Sequence, residues 1–215
     1  MKLHKPYTLE EISKIINCDF IGKANHKITG INEIHSVQKG DLIFVDHPKY
    51  YEKAIQSIAN TILINKEIEF PEDKAIIISE NPFDDYNKLT HHFKPYIPHQ
   101  QSIGEDCIID QSAHLYPNVF IGNRVKIGKN VILHSGVCIY DDCEIGDDVT
   151  IGPNSIIGHY AFYYNKKDTK YNRMLSCGSV RIDNNVEIGD LSTIDAGVSA
   201  SIDAGVSATT IIGEG

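Results

Sequence analysis

Phe44 and Tyr50 are two aromatic residues that lie six positions apart in the stretch FVDHPKYY. The apolar run before them predicts a strand, and Pro48 marks a change to helical spacing. Two rings on either side of a strand-to-helix turn can face each other, and planar bases stack on such rings. Alternatively, both rings belong to a hydrophobic core. Asp46 and His47 lie between them, which argues against a purely apolar role.

The histidines of the C-terminal half are the other side chains that bear on chemistry. His159 follows a glycine and is one candidate for a general base, although a histidine at a loop edge that only forms hydrogen bonds is the simpler interpretation. His114, His134 and His159 occupy different places in the repeat described below, so no shared zinc site is predicted. The five cysteines form no CxxC pair and are interpreted as packing residues without a metal or disulfide. We expect no cofactor.

Charge and hydropathy exclude several classes of protein. The net charge is -9, and no stretch gathers Lys and Arg with interleaved aromatic residues as nucleic-acid backbone binding requires. No apolar run reaches the roughly eighteen residues that a transmembrane helix needs, and the N-terminus lacks the apolar core of a signal peptide. We therefore expect a cytoplasmic protein with no nucleic-acid partner and no transmembrane segment.

A six-residue repeat organises the C-terminal half. Residues 103–162 divide into ten consecutive hexads, each of which opens with Ile or Leu. This period predicts a left-handed parallel β-helix in which three hexads make one coil and residues eighteen apart stack. The predicted interior columns are Ile103, Ile121, Ile139 and Ile157; Ile109, Ile127 and Ile145; and Leu115, Leu133 and Ile151. Glycine at the second place, as at Gly128, is expected to supply a corner conformation that other residues resist.

Residues 1–98 have a different pattern. Thr8 and Glu11 have capping-box spacing before a helix with an apolar face. Short apolar strands then alternate with helices, which predicts a small α/β domain. Residues 94–102 contain two prolines and no periodicity, so we interpret them as the linker to a second domain at 99–215.

Two features interrupt the hexads. From Tyr163 the repeat breaks for about seventeen polar, aromatic and basic residues, then resumes at Ile182. Such a loop is either a binding element on the flank of the β-helix or a solvated excursion. Residues 194–209 then hold a tandem repeat of eight residues, IDAGVSAS followed by IDAGVSAT. Either it bulges outward or it is a duplication within this chain, and the core resumes in phase if Ile212 follows Ile194.

The motifs FVDHPKYY, NPFDDYNKL, AFYY, VEIGDLSTID and TIIGEG, in this order around the hexads, resemble the UDP-3-O-acylglucosamine N-acyltransferases of lipid A biosynthesis. The resemblance covers nearly the whole chain. It implies a homotrimer that transfers a 3-hydroxyacyl chain from acyl carrier protein to the 2-amine of a UDP-3-O-acyl-glucosamine. The acyl carrier protein thioester would be the donor.

The resemblance also implies site residues. Phe44 and Tyr50 would sandwich the uracil ring, and His47 would provide a polar contact at a position where the family usually has Asn. The general base of the family is a histidine in a motif some coils beyond TIIGEG, whereas this sequence ends at Gly215. We therefore expect that the sequence is a fragment or a truncated homologue that lacks the catalytic base, and the catalytic residue stays unassigned.

Two alternative functions fit the same residues. One is a trimeric module that binds a UDP-sugar without turnover, and the other is a sugar-nucleotide acyltransferase that uses a short acyl-CoA. The sequence beyond residue 215 would separate the first alternative from the enzyme, and the thioester preference would separate the second.

Overall fold

The computed structural model describes residues 1–98, 100–167 and 169–198, and the backbone of two further strands at 202–204 and 210–212. The chain forms two compact units. The first unit comprises Met1–Tyr96 and Tyr164–Cys177, and the second comprises Ile97–Tyr163 and Gly178–Gly215.

A six-stranded sheet forms the centre of the first unit, in the order β1-β3-β4-β5-β6-β2. Strands β3 to β6 are parallel, and the two edge strands run antiparallel to their neighbours. The edge strand β1 was not predicted; it contains Pro6, which an edge position tolerates because it needs fewer backbone donors. The strands are β1 (Lys2–Thr8), β2 (Asp19–Ile21), β3 (Lys27–Ile31), β4 (Asp41–Val45), β5 (Thr61–Ile64) and β6 (Ala75–Ile78).

Three α-helices accompany this sheet: α1 (Leu9–Ile16), α2 (Tyr51–Gln56) and α3 (Pro82–Phe93). The predicted capping box of α1 is confirmed, because the Thr8 hydroxyl accepts from the Glu11 N–H at 3.1 Å and the Glu11 carboxylate accepts from the Thr8 N–H at 2.7 Å. Asn17, with φ of 55°, ends this helix. The predicted α/β class is thereby confirmed. Among the described residues, no helix is long and apolar enough to cross a bilayer.

Strand β4 sends its side chains to two different layers, as a strand must. Ile43 and Val45 are buried in a cluster with Ala54 of α2. Phe44 packs instead against α3, since its ring contacts the rings of Phe83 and Tyr86. The helix α3 therefore supports the underside of any site that uses Phe44.

The hexads fold as the predicted parallel β-helix. Partners in neighbouring coils are eighteen residues apart, as in the pairs Ile121 with Ile139 and Leu133 with Ile151. From Ile121 onward the aliphatic side chains that open the hexads lie in the buried core, with Ile121, Leu133 and Ile139 fully inaccessible to solvent. Ile103, which was predicted in an interior column, is instead 39% exposed. The short strands of this part are β7 (Ile108–Ile109), β8 (His114–Leu115), β9 (Phe120–Ile121), β10 (Lys126–Ile127), β11 (Ile132–Leu133), β12 (Cys138–Ile139), β13 (Glu144–Ile145), β14 (Thr150–Ile151) and β15 (Ile156–Tyr160).

We expected glycine at the second place of a hexad to supply a corner conformation that other residues resist. This explanation is wrong at most positions. Of these glycines only Gly158 has a positive φ, and the left-handed conformation lies instead at the fourth place, where Asn and Asp are common. A Cβ on Gly128 would stand 2.7 Å from the carbonyl carbon of Gly146 in the next coil. Close approach of stacked coils, and not the dihedral angle, therefore requires glycine there.

After β15 the chain leaves the β-helix and forms an antiparallel hairpin of β16 (Tyr164–Lys167) and β17 (Lys170–Arg173), which belongs to the first unit. The coils resume in phase, because Ile145 pairs with Ile182 and Ile157 pairs with Ile194. The later strands are β18 (Val180–Ile182), β19 (Val186–Ile188), β20 (Thr193–Ala196), β21 (Ile202–Ala204) and β22 (Thr210–Ile212).

The tandem repeat at 194–209 lies partly outside the described residues. In the part that is described, Ile212 pairs with Ile188 and not with Ile194. The in-phase continuation from Ile194 to Ile212 is therefore wrong.

Candidate functional site

The carboxyl end of β4 leads directly into the turn that carries His47 and Tyr50. The His47 side chain caps the short 3-10 helix Pro48–Tyr50, because its Nδ1 accepts from the Lys49 N–H at 3.2 Å. Pro48, with its fixed φ, favours the first position of this helix. In open parallel sheets, ligands bind beyond the carboxyl ends of the strands, which is where this turn lies.

Phe44 is half-buried and lies one residue before the carboxyl end of β4. Its ring centroid lies 4.7 Å from that of Tyr86 and 6.3 Å from that of Phe83, both of which are buried on α3. The core interpretation of Phe44 is therefore partly right, because one side of the ring packs on α3. A half-buried ring keeps some surface for a ligand.

Tyr50 has a different environment, since 41% of it is exposed. Its ring makes an edge contact with the His47 imidazole, with 6.3 Å between centroids, and the Lys49 Nζ lies 5.7 Å from the ring centroid. A phenol, an imidazole and an ammonium thus share one exposed turn. The structure brings His47 and Tyr50 together, whereas within the described residues no ring contact joins Phe44 to Tyr50.

Asn65 and Tyr51 fix this turn, and the sequence reasoning missed both. The Asn65 amide donates to the Asp46 carbonyl at 2.9 Å, and the Tyr51 hydroxyl donates to the Asn65 side-chain oxygen at 2.5 Å. Asn65 directly follows β5, the parallel neighbour of β4. A polar residue immediately after a buried parallel strand was the signal that would have found it.

A buried polar cluster holds α3 against β6. The Asp85 carboxylate accepts from the Lys88 Nζ at 2.6 Å, from the Cys18 thiol at 3.2 Å, and from the Ser79 hydroxyl. Burial raises the pKa of Asp85, but hydrogen bonds from Lys88, Ser79 and Cys18 outweigh it and leave the pKa below its usual 3.8. Burial and the bond to Asp85 raise the pKa of Cys18 to about 11. This cluster is structural, since it positions the helix that supports Phe44.

The three histidines of the hexads, His114, His134 and His159, each contact an aromatic ring. His159 lies 4.6 Å from Tyr140 and 5.6 Å from Tyr160, measured between ring centroids. His134 stacks on Tyr116, with 5.0 Å between the ring centroids. Within the described ranges, no group of three or more His, Cys, Asp or Glu side chains could hold a metal ion.

Comparison with known proteins agrees with the two units. Residues 25–92 match the family described as UDP-3-O-(3-hydroxymyristoyl) glucosamine N-acyltransferase, LpxD. Residues 124–159 match the bacterial transferase hexapeptide repeat. The first match contains Phe44, His47 and Tyr50.

Curated relatives extend the similarity over most of the chain. A UDP-3-O-acylglucosamine N-acyltransferase 1 of Sulfurimonas denitrificans is 39% identical over 209 residues, which cover 88% of this chain and 65% of that protein. A UDP-3-O-acylglucosamine N-acyltransferase of Acinetobacter baylyi is 26% identical over 216 residues, which cover 89% and 61%. The chain thus spans less than two thirds of the length of these relatives.

Among solved structures, LpxA of Bacteroides fragilis, a UDP-N-acetylglucosamine acyltransferase, is 22% identical with a TM-score of 0.28. That match covers 49% of this chain and 42% of the other.

Proposed function

We propose, from the premise that this chain belongs to the UDP-3-O-acylglucosamine N-acyltransferase family, that its first unit binds the uridine of a UDP-3-O-acyl-glucosamine. The observation that carries the proposal is the turn after β4, because it lies inside the family match and presents Tyr50 and His47 together at the surface. The activity proposed for the protein is transfer of a 3-hydroxyacyl chain to the 2-amine of that sugar nucleotide, a step of lipid A biosynthesis.

The turn supplies what uracil recognition needs. The exposed ring of Tyr50 offers a stacking face, and the half-buried ring of Phe44 is held in place by Phe83 and Tyr86. Stacking on an aromatic side chain contributes roughly 1 to 3 kcal/mol per base. The imidazole of His47 provides a polar contact for the edge of the base.

Lys49 adds a charge suited to the diphosphate. Its ammonium lies 5.7 Å from the centroid of the Tyr50 ring. A lysine ammonium binds phosphate as a point charge and needs no fixed geometry. The positive charge therefore stands beside the proposed base site, where a nucleoside diphosphate carries its negative charges.

The transfer itself would proceed through attack of the sugar amine on a thioester carbonyl. The C–N bond forms as the C–S bond breaks, the thiolate leaves, and the amine loses a proton to a general base. Backbone N–H groups would stabilise the oxyanion. The donor in the proposal is the acyl carrier protein thioester, with no metal or other cofactor, and the general base is not assigned to any described residue.

Assembly and location complete the proposal. We expect the protein to be cytoplasmic and to form a homotrimer. A closed ring of three subunits would bury the flanks of the repeat coils and place sites between subunits. Light scattering would then report about three times the chain mass of 24.0 kDa. A purely monomeric species at micromolar concentration would contradict this part.

Calorimetric titration with UDP tests the uridine site. The Tyr50→Ala variant should weaken UDP binding roughly 5- to 150-fold, which corresponds to the loss of one stacking ring. Tyr50→Phe is the matched control, since it retains the ring and removes only the hydroxyl. Equal affinity in the wild type and Tyr50→Ala would remove Tyr50 from the site.

A second assay separates the alternative functions. Acyl transfer is measured with acyl carrier protein thioester and, in parallel, with a short acyl-CoA. UDP binding without transfer from either donor would favour the binding module, and transfer from acyl-CoA alone would favour the sugar-nucleotide acyltransferase.

A further inference from the structure

The turn after β4, residues 47–50, is not held in place by packing. All four of its residues are exposed. The nearest fully buried side chains on either side are those of Val45 before the turn and Ala54 after it. Side chains that stand in solvent have no core to fix their direction. The ring of Tyr50 and the imidazole of His47 therefore depend on hydrogen bonds for their placement.

The helical segments at this turn are too short to order themselves. The 3-10 helix Pro48–Tyr50 has three residues, and α2 has six. An isolated helix shorter than about 12 to 15 residues is marginal in water even for good helix formers. Inside the turn, the Lys49 N–H donates to the His47 Nδ1 at 3.2 Å and the Tyr50 N–H donates to the His47 carbonyl at 3.0 Å. These bonds lie in an exposed segment, so contacts from outside the turn must help to hold it.

The side chain of Asn65 supplies such a contact at both ends of the turn. Its amide donates to the carbonyl of Asp46, the residue before the turn, at 2.9 Å. Its side-chain oxygen accepts from the hydroxyl of Tyr51, the residue after the turn, at 2.5 Å. We call this pair of bonds the Asn65 bridge. Because Asn65 directly follows β5, whose residues are all buried, the bridge ties both ends of the turn to an interior strand of the sheet.

The bridge requires a side-chain amide. Asparagine presents a donor and an acceptor together, whereas a carboxylate could accept from Tyr51 but could not donate to the Asp46 carbonyl. Asn65 is itself exposed, so the two bonds compete with water. A hydrogen bond of this kind changes an equilibrium constant by a net factor of roughly 2 to 12. The bridge can therefore bias the shape of the turn without being needed for the core.

The other end of α2 is held separately by Lys74. Its ammonium donates to the carbonyls of Ser57 and Ala59, each at 2.6 Å. Both carbonyls follow the last residue of α2, where a positive charge also complements the helix dipole. Lys74 thus stabilises the helix at the end away from the turn.

We infer that Asn65 is a positioning residue for the turn at 47–50, because its bridge fixes how Tyr50 faces a bound nucleotide. The identity of that nucleotide rests on the proposed function. The way in which the turn is held does not, because it follows from the bridge, the exposure of the turn and the shortness of its helices. A turn that already has its bound shape loses less conformational entropy on binding. Loss of the bridge should therefore weaken binding although no ligand contact is removed.

Calorimetric titration of the full chain with UDP tests this inference. Asn65→Ala should weaken UDP binding at least about fivefold, because both bonds of the bridge are lost. Tyr51→Phe should weaken it roughly 2- to 12-fold, because one bond is lost and the ring is retained. In the Asn65→Ala background, Tyr51→Phe should have no further effect, since both changes act on the same bridge. Lys74→Met is the matched control, because it loosens the other end of α2, and it should change the Kd less than about twofold.

Stability separates positioning of the turn from general loosening of α2. Urea unfolding should show Lys74→Met to be at least as destabilising as Asn65→Ala, because Lys74 loses two charge-assisted bonds. A purely structural role would lower stability and UDP affinity in the same order, whereas the inference expects opposite orders. Hydrogen exchange adds a measurement that needs no ligand. The amides of Lys49 and Tyr50 should exchange at least about fivefold faster in Asn65→Ala and at nearly the wild-type rate in Lys74→Met.

The outcomes are distinct. Equal UDP affinity in the wild type and Asn65→Ala would overturn the inference, as would a loss of affinity in Lys74→Met as large as that in Asn65→Ala. Absence of UDP binding by the wild type would count against the proposed function, and the exchange rates would then decide how the turn is held. Faster exchange in Asn65→Ala alone would support the bridge, and unchanged exchange would overturn it.

Discussion

The side-chain amide of Asn87 on α3 donates to the main-chain carbonyl of Arg173 on β17 at 2.9 Å, although the two residues are 86 positions apart in sequence. The same side chain accepts from the Leu175 N–H, so one residue satisfies two backbone groups. A half-buried amide that spans a donor and an acceptor in this way fixes the direction in which the chain leaves the hairpin. The hairpin is therefore held to the helix by a specific contact.

Removal of this contact should loosen the hairpin. Asn87→Ala removes the hydrogen bonds to a backbone carbonyl and a backbone N–H, which costs roughly 1 to 3 kcal/mol. Hydrogen exchange of the Leu175 amide should accelerate accordingly. Asn87→Asp is the informative control, because a carboxylate still accepts from Leu175 but cannot donate to Arg173. Unchanged exchange in Asn87→Ala would mean that other contacts hold the segment.

Asp85 should stabilise the first unit in a pH-dependent manner. Its pKa is lower in the folded protein than its usual 3.8, so its contribution is present above the pKa of the unfolded chain and is lost as the pH falls through the folded value. Asp85→Asn should lower the free energy of unfolding by roughly 1 to 3 kcal/mol at pH 7. Urea titrations at pH 7 and at about pH 3 should show this difference shrinking in acid. A difference that grows in acid would contradict the assignment.

Cys18 should resist alkylation in the folded protein. Its pKa of about 11, compared with 9.0 for an ordinary thiol, leaves roughly a hundredfold less thiolate at pH 8. Mass spectrometry of the Cys18 peptide after brief iodoacetamide treatment measures the rate, and the urea-unfolded chain is the reference. Equal rates in the folded and unfolded chains would show that burial and Asp85 do not protect the thiol.

Glycine at the second place of a hexad should be intolerant of even a methyl group. In Gly128→Ala the new Cβ would press on the backbone of Gly146, at a cost of roughly 1 to 3 kcal/mol in the free energy of unfolding. Asn130→Gly is the control in the same coil, since glycine adopts the φ of 54° found there without strain. It should cost less than about 1 kcal/mol. Urea unfolding of both variants decides whether close approach or the dihedral angle governs the repeat.

The sequence predicted the β-helix well because its rule is local and repeated. An aliphatic residue every six positions has few other ways to be buried, and Ile121, Ile139 and Ile157 stack as the period requires. The helices α1 and α3 are equally predictable from the sequence, because Thr8 and Pro82 mark their starts. The edge strand β1 is not predictable in this way, because KLHKPYT has little apolar alternation. Its conformation depends on pairing with β3.

The hairpin was the main omission. No run of apolar residues marks β16 or β17, so the interruption from Tyr163 was predicted only as a loop of polar, aromatic and basic residues. The pairing of each ring with a cation arises only when the two strands meet, because Tyr164 lies opposite Arg173 and Lys166 lies opposite Tyr171. For the candidate uridine site, the sequence identified the turn and its ring residues, but the contacts of Phe44 with α3 are tertiary and leave no local pattern.

The interval between stacked coils is 18 residues before the hairpin, as from Asn123 to Asp141, and 37 residues across it, as from Asp147 to Asn184. The three columns of strands nevertheless continue across the hairpin, because β13, β14 and β15 pair with β18, β19 and β20. The hairpin therefore does not change the stacking of the repeat. For the stacking of the β-helix alone, this position is neutral with respect to length. Insertions, deletions and new sequences can accumulate there without disturbing the aliphatic columns, and selection can change what the protein recognises while the scaffold stays the same.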